Sequence, residues 1–250
     1  MTASPQRRFH TRSLSFWNDK QLRFMIVVEM AEAVIFDWDG TLADTKKAVV
    51  QSFQKVLGEA GCRVSDEFIE RRIGIGTKKT FIEAFRECHM RLDVSTLERL
   101  AQEKVRIQVG LVDIVNLFDG VTELLEALQG RVMIALATMS GRKVVDKLLP
   151  ERRVEGYFDV VVTADEVVNP KPDPEVFLVS ASKLGVKPED CVVVEDSVFG
   201  VRAAKAAGMM CIAVSSGVYG REELEEEKPD LTIGSLVEKD RVLSFIFGSV

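Results

Sequence analysis

The chain has 250 residues, 46% hydrophobic and 29% charged, with a formal net charge of -6. That length accommodates one large domain or a core with a smaller insert. Only the N-terminus is basic, which argues against nucleic acid as a ligand, and the longest apolar runs, such as 132–137, are far too short to cross a membrane.

Residues 1–24 carry Arg7, Arg8, Arg12, Lys20 and Arg23 against the single acid Asp19. They are expected to be a dispensable or misassigned extension, with Met25 or Met30 as the true start; an organelle transit segment is the other reading. The apolar, β-branched run 33–36 then predicts a buried strand. Thr45 or Asp44 is expected to cap a helix whose apolar residues include Val49, Val50, Phe53, Val56 and Leu57, stopped at Gly61. Further helices are predicted from Ser65-Asp66 to Arg71, around Phe81 and Phe85 as far as Cys88, and from Ser95 to Leu111. No strand signal appears over 45–117. From Asp119-Gly120 the pattern alternates: helix 121–128, strand 132–137, helix 142–149 with Pro150 after it, strand 157–162, helix 175–184, strand 191–194, helix 198–207, strand 210–214 and a short strand 231–233. The acidic run 222–227 reads as a solvated helix face. Strands alternating with helices imply an α/β doubly wound parallel sheet, here interrupted by an all-helical block. The expected organisation is an extension over 1–29, a discontinuous core over 30–44 and 119–250, and a helical insert over 45–118. Cys62, Cys88, Cys191 and Cys211 are scattered without C-x-x-C spacing, and His10 and His89 are the only histidines. No zinc site is expected, and reduced thiols in a cytoplasmic protein are the default.

Chemistry-bearing residues follow the predicted strands. The first strand ends in Asp37-Trp38-Asp39-Gly40, two carboxylates that repel unless a cation or proton compensates. Thr138-Met139-Ser140 follows the strand at 132–137 and offers hydroxyls at a helix start, suited to a phosphate oxygen or to a simple cap. Lys171 stands among Pro170, Pro172 and Pro174, which restrict its loop. Glu195-Asp196 closes the strand at 191–194. In a parallel sheet these strand ends share one edge, where ligands bind.

In this order the four segments resemble the motifs of the haloacid dehalogenase-like superfamily over about residues 31–220. Asn169-Pro170-Lys171-Pro172 and the stretch from Gly200 to Gly208 look like its phosphoglycolate phosphatase and β-phosphoglucomutase branch. The resemblance implies a Rossmann-like core with residues 45–118 as a cap. It makes Asp37 the nucleophile that forms an aspartyl-phosphate, and Asp39 the acid and base. It implies Mg²⁺ held by Asp37, the Asp39 carbonyl, Asp196 and, directly or through water, Glu195. Thr138, Ser140 and the N–H groups of Trp38 and Met139 would hold the phosphate, Lys171 would neutralise the cluster of Asp37 and phosphate, and Lys78 would touch the substrate from the cap.

Within that superfamily, an acid two residues after the nucleophile favours phosphate esters over dehalogenation or phosphonate cleavage. The cap helix after Asp44 has no histidine of the kind a mutase needs, so a phosphatase is favoured over a phosphomutase, and the intact Asp37, Asp39, Thr138, Lys171 and Asp196 argue against a non-catalytic phosphate binder. The expected partner is a small phosphorylated metabolite, phosphoglycolate or a sugar phosphate.

Overall fold

The computed structural model describes residues 31–248; the extension predicted over 1–29 lies outside them. The first strand, Ala33–Phe36 (β1), is followed by the two-residue strand Ala43–Asp44 (β2) and by helices Lys46–Glu59 (α1), Asp66–Glu70 (α2), Thr77–Glu87 (α3) and Val94–Val109 (α4). A second two-residue strand, Asn116–Leu117 (β3), leads into Val121–Leu128 (α5), Met133–Ala137 (β4), Arg142–Glu151 (α6), Val160–Val162 (β5) and Glu175–Leu184 (α7). The chain closes with Cys191–Glu195 (β6), Val198–Ala206 (α8), Met210–Val214 (β7), Arg221–Glu226 (α9), Leu231–Ile233 (β8) and Lys239–Phe247 (α10).

Among the described residues the main sheet has six strands in the order β5-β4-β1-β6-β7-β8, every pairing parallel. β1 is buried at every position, as its unbroken apolar run requires of a strand covered on both faces. Period-two alternation then divides its side chains. Val34 and Phe36 pack with Leu124, Leu125, Val144, Leu148, Val242 and Ile246 of α5, α6 and α10. Ala33 and Ile35 face Val176, Phe177, Val201, Ala204 and Leu224 of α7, α8 and α9. The register fixes the site. Phe36 lies level with Leu136 of β4 and Val194 of β6, so the residues that follow these three leave the sheet side by side.

Helices α1 to α4 pack around their own apolar cluster, which includes Phe53, Leu57, Ile69, Phe81, Phe85 and Leu100. Phe53 and Phe81 meet with ring centroids 5.0 Å apart. Ser65 and Asp93 cap α2 and α4 by accepting from the N–H groups of Phe68 and Thr96.

The structure departs from the sequence reading at several points. β3 lies within the stretch where no strand was expected and pairs antiparallel with β2, tying the exit and return of the helical block. Two residues are too few for a periodic signal. Thr45 occupies the cap position of α1 but its side chain makes no capping bond. α6 continues through Pro150, which falls in its last turn and forgoes the one backbone bond to Asp146, and the helix ends at the next residue. β5 begins only at Val160, because Glu155–Tyr157 forms a 3₁₀ turn. α9 is not a wholly solvated face, since Leu224 is buried, and α10 had no sequence assignment. Cys62 and Cys88 form a disulfide with Cα atoms 5.7 Å apart, so reduced thiols are found only at Cys191 and Cys211, both buried. The folding of the helical block brings the end of α1 to the end of α3, a proximity that 26 residues of separation conceal.

Phe81 is completely buried against Phe53. Phe81→Ala is expected to lower stability by about 3–5 kcal/mol through lost burial and the cavity left behind, read as a fall in the urea midpoint.

Candidate active site

One buried cation organises the edge of the sheet. Lys171 has no solvent exposure, and its Nζ donates to Asp37 Oδ1 at 2.6 Å, Glu195 Oε1 at 2.7 Å and the carbonyl of Ala137 at 3.4 Å. These contacts match the three protons of an ammonium group. The Phe177 ring of α7 lies on another side, its centroid 4.9 Å from Nζ. Burial alone would disfavour the charged amine, but Asp37 and Glu195 more than offset this and raise its pKa above the ordinary lysine value.

The acids respond to burial and to each other. Burial, with Glu195 and Asp39 adding, pushes Asp37 up to about 7 against the pull of Lys171. Asp196 is likewise raised, by burial first and then by Glu195 and Asp37. Glu195 Oε2 accepts from the N–H groups of Asp196 and Ser197 at 2.9 Å each and from the Ser197 hydroxyl at 3.0 Å, where α8 begins. Gly200 in α8 leaves room for this side chain, since a Cβ there would lie 1.8 Å from the Glu195 carboxylate. Asp196 Oδ1 accepts from Thr41 at 3.0 Å.

Asp37, Glu195 and Asp196 each offer a carboxylate oxygen within 4.8 Å of the others. Asp37 Oδ2 is buried and has no hydrogen-bond partner among the described residues. One ammonium does not balance these acids together with buried Asp39. An all-oxygen donor set with residual negative charge and an orphaned carboxylate oxygen fits a hard divalent cation such as Mg²⁺.

Asp39 leans the other way. Its Oδ2 accepts from the hydroxyls of Thr138 at 3.1 Å and Ser140 at 2.8 Å, while Oδ1 is buried without a partner among the described residues. Thr138 Oγ1 also accepts the N–H of Ser140 at 3.0 Å. The hydroxyls predicted to hold phosphate therefore hold Asp39 here. The Trp38 side chain is buried in the core, so only its backbone N–H is offered as a phosphate donor.

A cleft of about 1430 Å³ runs between α3 and α4 on one side and the loops after β4 and β5 on the other, with Met139 and Pro170 in its wall. Lys78 lines it but is exposed and paired with Glu98 at 2.5 Å, so it does not join the buried cluster. The helical block is gripped at Arg71. Its guanidinium bonds Glu223 at 2.6 and 3.1 Å and lies 4.1 Å from the Tyr219 ring centroid, while the Tyr219 hydroxyl donates to the Arg71 carbonyl at 2.6 Å.

Sequence reading missed Lys104 and Gln108 of α4. Both are buried; Lys104 Nζ donates to Gln108 Oε1 and lies 4.8 Å from the Phe53 ring centroid. Burial lowers the Lys104 pKa to about 8, with the Asp39 carboxylate opposing the drop. Gln108 Nε2 has no partner among the described residues. The available signal was spacing: Leu100, Lys104 and Gln108 recur every fourth residue, so a polar pair continues a buried helix face.

The raised carboxylate pKa values set a sign for stability. An acid titrating higher in the folded state stabilises fully below its unfolded value, near 4, and that contribution is lost as pH rises through the folded value, about 7 for Asp37. Chelator-treated protein is therefore expected to melt at a lower temperature at pH 8 than at pH 6. Added Mg²⁺ should narrow the difference, and scanning calorimetry at both pH values checks it.

The sequence model described as haloacid dehalogenase-like hydrolase matches residues 34–214. A phosphorylated carbohydrates phosphatase of Thermotoga maritima is 32% identical over 220 residues, covering 86% of this chain and 98% of that protein. Fructose-1-phosphate phosphatase YqaB of Escherichia coli is 35% identical over 189 residues, 74% of this chain and 97% of its own length. Among solved structures, a hydrolase from Pseudomonas syringae superposes with a TM-score of 0.80 at 26% identity, over 87% of this chain and all of the other. A β-phosphoglucomutase from Clostridium difficile gives 0.79 at 26% identity, over 87% of this chain and 97% of its own. A parallel sheet carrying these acids and Lys171 at one edge, and a family match running from β1 to β7, place the chain in the haloacid dehalogenase-like hydrolase family.

Proposed function

We propose that the protein is a Mg²⁺-dependent phosphatase of small phosphate monoesters of the sugar-phosphate type, working through an aspartyl-phosphate on Asp37. The observation that carries this reading is the buried Lys171 ammonium shared by Asp37 and Glu195 from separate strand ends. It keeps Asp37 close to a cation while leaving Oδ2 without a partner. The names of the relatives agree: a phosphorylated carbohydrates phosphatase and a fructose-1-phosphate phosphatase.

In this mechanism a carboxylate oxygen of Asp37 attacks phosphorus. The bond to the ester oxygen breaks, and that oxygen takes a proton from Asp39 and leaves as an alcohol. Asp39 then removes a proton from water, whose oxygen attacks the same phosphorus; the acyl phosphate opens and inorganic phosphate departs. Thr138 and Ser140 exchange their bonds to Asp39 for bonds to phosphate oxygens, which frees Asp39 to move. Lys171 holds the charge of Asp37 throughout. Mg²⁺, held by Asp37, Asp196, the Asp39 carbonyl and Glu195 directly or through water, would neutralise phosphate oxygens and the charge that develops on them.

The helical block over residues 45–118 acts as the cap in this reading and excludes water from the closed site. Lys104 and Gln108 meet the part of the substrate beyond the phosphate, a buried cation and amide suited to hydroxyl or anionic groups. Lys78 serves the cleft entrance.

The test is phosphate release from p-nitrophenyl phosphate and from a panel of sugar phosphates and phosphoglycolate, with Mg²⁺ and after chelation. Turnover is expected only with the metal, and Asp37→Asn is expected to abolish it. Metal-independent turnover, or an active Asp37→Asn, would refute the mechanism; isomerisation of β-glucose 1-phosphate without phosphate release would mark a mutase. Lys104→Met is expected to raise KM for the preferred sugar phosphate by about tenfold or more, the loss of a charge-assisted bond, with kcat changed less.

A further inference from the structure

Four strand ends supply the acids, the hydroxyls and Lys171. A fifth, the loop after β7, touches the same site without a charged group. Ser216 Oγ donates to the carbonyl of Gly40 at 2.7 Å, tying this loop to the one after β1. Gly217 follows it against Asp196. A Cβ at Gly217 would stand 1.7 Å from Asp196 Oδ2, 2.7 Å from its Cγ and 3.2 Å from its Cβ. The three nearest atoms all belong to that one side chain. On the other side, a Cβ at Gly40 would lie 2.2 Å from the same Oδ2. With Oδ1 bonded to Thr41, the carboxylate is fixed at one oxygen and slotted between two glycines at the other.

The two glycines differ in kind. Gly40 has φ +94°, a conformation that itself demands glycine. Gly217 has no positive φ, so its backbone would accept alanine, and only the space taken by Asp196 excludes a side chain. The loop is held by the Ser216 bond to Gly40, whereas an aspartate side chain can turn about its own χ1 and χ2. Crowding at position 217 should therefore move the carboxylate and spare the fold.

We propose that Gly217 is a positioning residue for the metal-site carboxylate: its missing side chain, held in place by the Ser216 tie, sets the rotamer in which Asp196 faces Asp37 and Glu195. The inference rests on the assignment of Asp196 as a metal ligand in the proposed function. It adds a specific requirement for glycine at the end of β7.

The test is Gly217→Ala, with Mg²⁺ alone titrated calorimetrically into chelator-treated protein and with thermal unfolding measured in two backgrounds. Mg²⁺ affinity is expected to fall by about tenfold or more, as for other groups that orient a ligand. The melting temperature is expected to drop in the wild-type background and to stay nearly unchanged when the substitution is made on Asp196→Ala, where the obstructed carboxylate is gone. A Gly217→Ala protein that folds only on Asp196→Ala supports the proposal equally. Undiminished Mg²⁺ affinity, or an equal loss of melting temperature in both backgrounds, overturns the proposal. If the wild-type protein itself binds no Mg²⁺, the metal-dependent function fails, and the two-background comparison still decides whether Gly217 makes room for Asp196.

Discussion

The buried ammonium of Lys171 is the constraint on which the site depends. Asp37 and Glu195 are almost wholly buried, and taking two carboxylates out of water is costly unless a cation is held against them in good geometry. Lys171 meets that condition at 2.6 and 2.7 Å, and its remaining proton is directed at a backbone carbonyl. The arrangement remains short of positive charge, because Asp39 and Asp196 are buried beside it. An excess of buried acid is a poor way to stabilise a fold and a good way to prepare a place for a divalent cation and a phosphate, which bring opposite charges together.

The parallel sheet makes this crowding possible. Strands β4, β1 and β6 lie in register, so their ends deliver side chains to one small region without any long loop having to find its place. The faces of the sheet are closed by apolar helices, which leaves the C-terminal edge as the open side. The helical block covers that side and is held to the core by the Arg71 grip on Glu223 and Tyr219, while a cleft stays open beside Met139 and Pro170.

Much of this was legible because the signals are local. An apolar run followed by Asp-x-Asp-Gly reads as a strand ending in acids, and the alternation after residue 119 reads as a parallel sheet. Asp37, Asp39, Thr138 and Asp196 stand at or just past strand ends and Lys171 in the loop after β5, and the structure gathers them at one edge. The misses share one cause. β3 is too short for periodicity, Cys62 and Cys88 are separated by a whole helical turnabout, and Lys104 looks like a solvated helix lysine until α4 is packed with it facing inward. Lys78 lines the cleft and pairs with Glu98 at its exposed end, outside the buried cluster.

The alternating core, the inserted helices and the placing of acids and a lysine near the strand ends follow from the order of residues alone. Each of those depends on residues a few positions apart, through side-chain periodicity and turn chemistry. Packing sets the distances at which Lys171 is shared by Asp37 and Glu195, buries Lys104 and Gln108, and leaves at Gly217 the space that Asp196 occupies. Those facts are distances between residues far apart in the chain, and packing alone sets them.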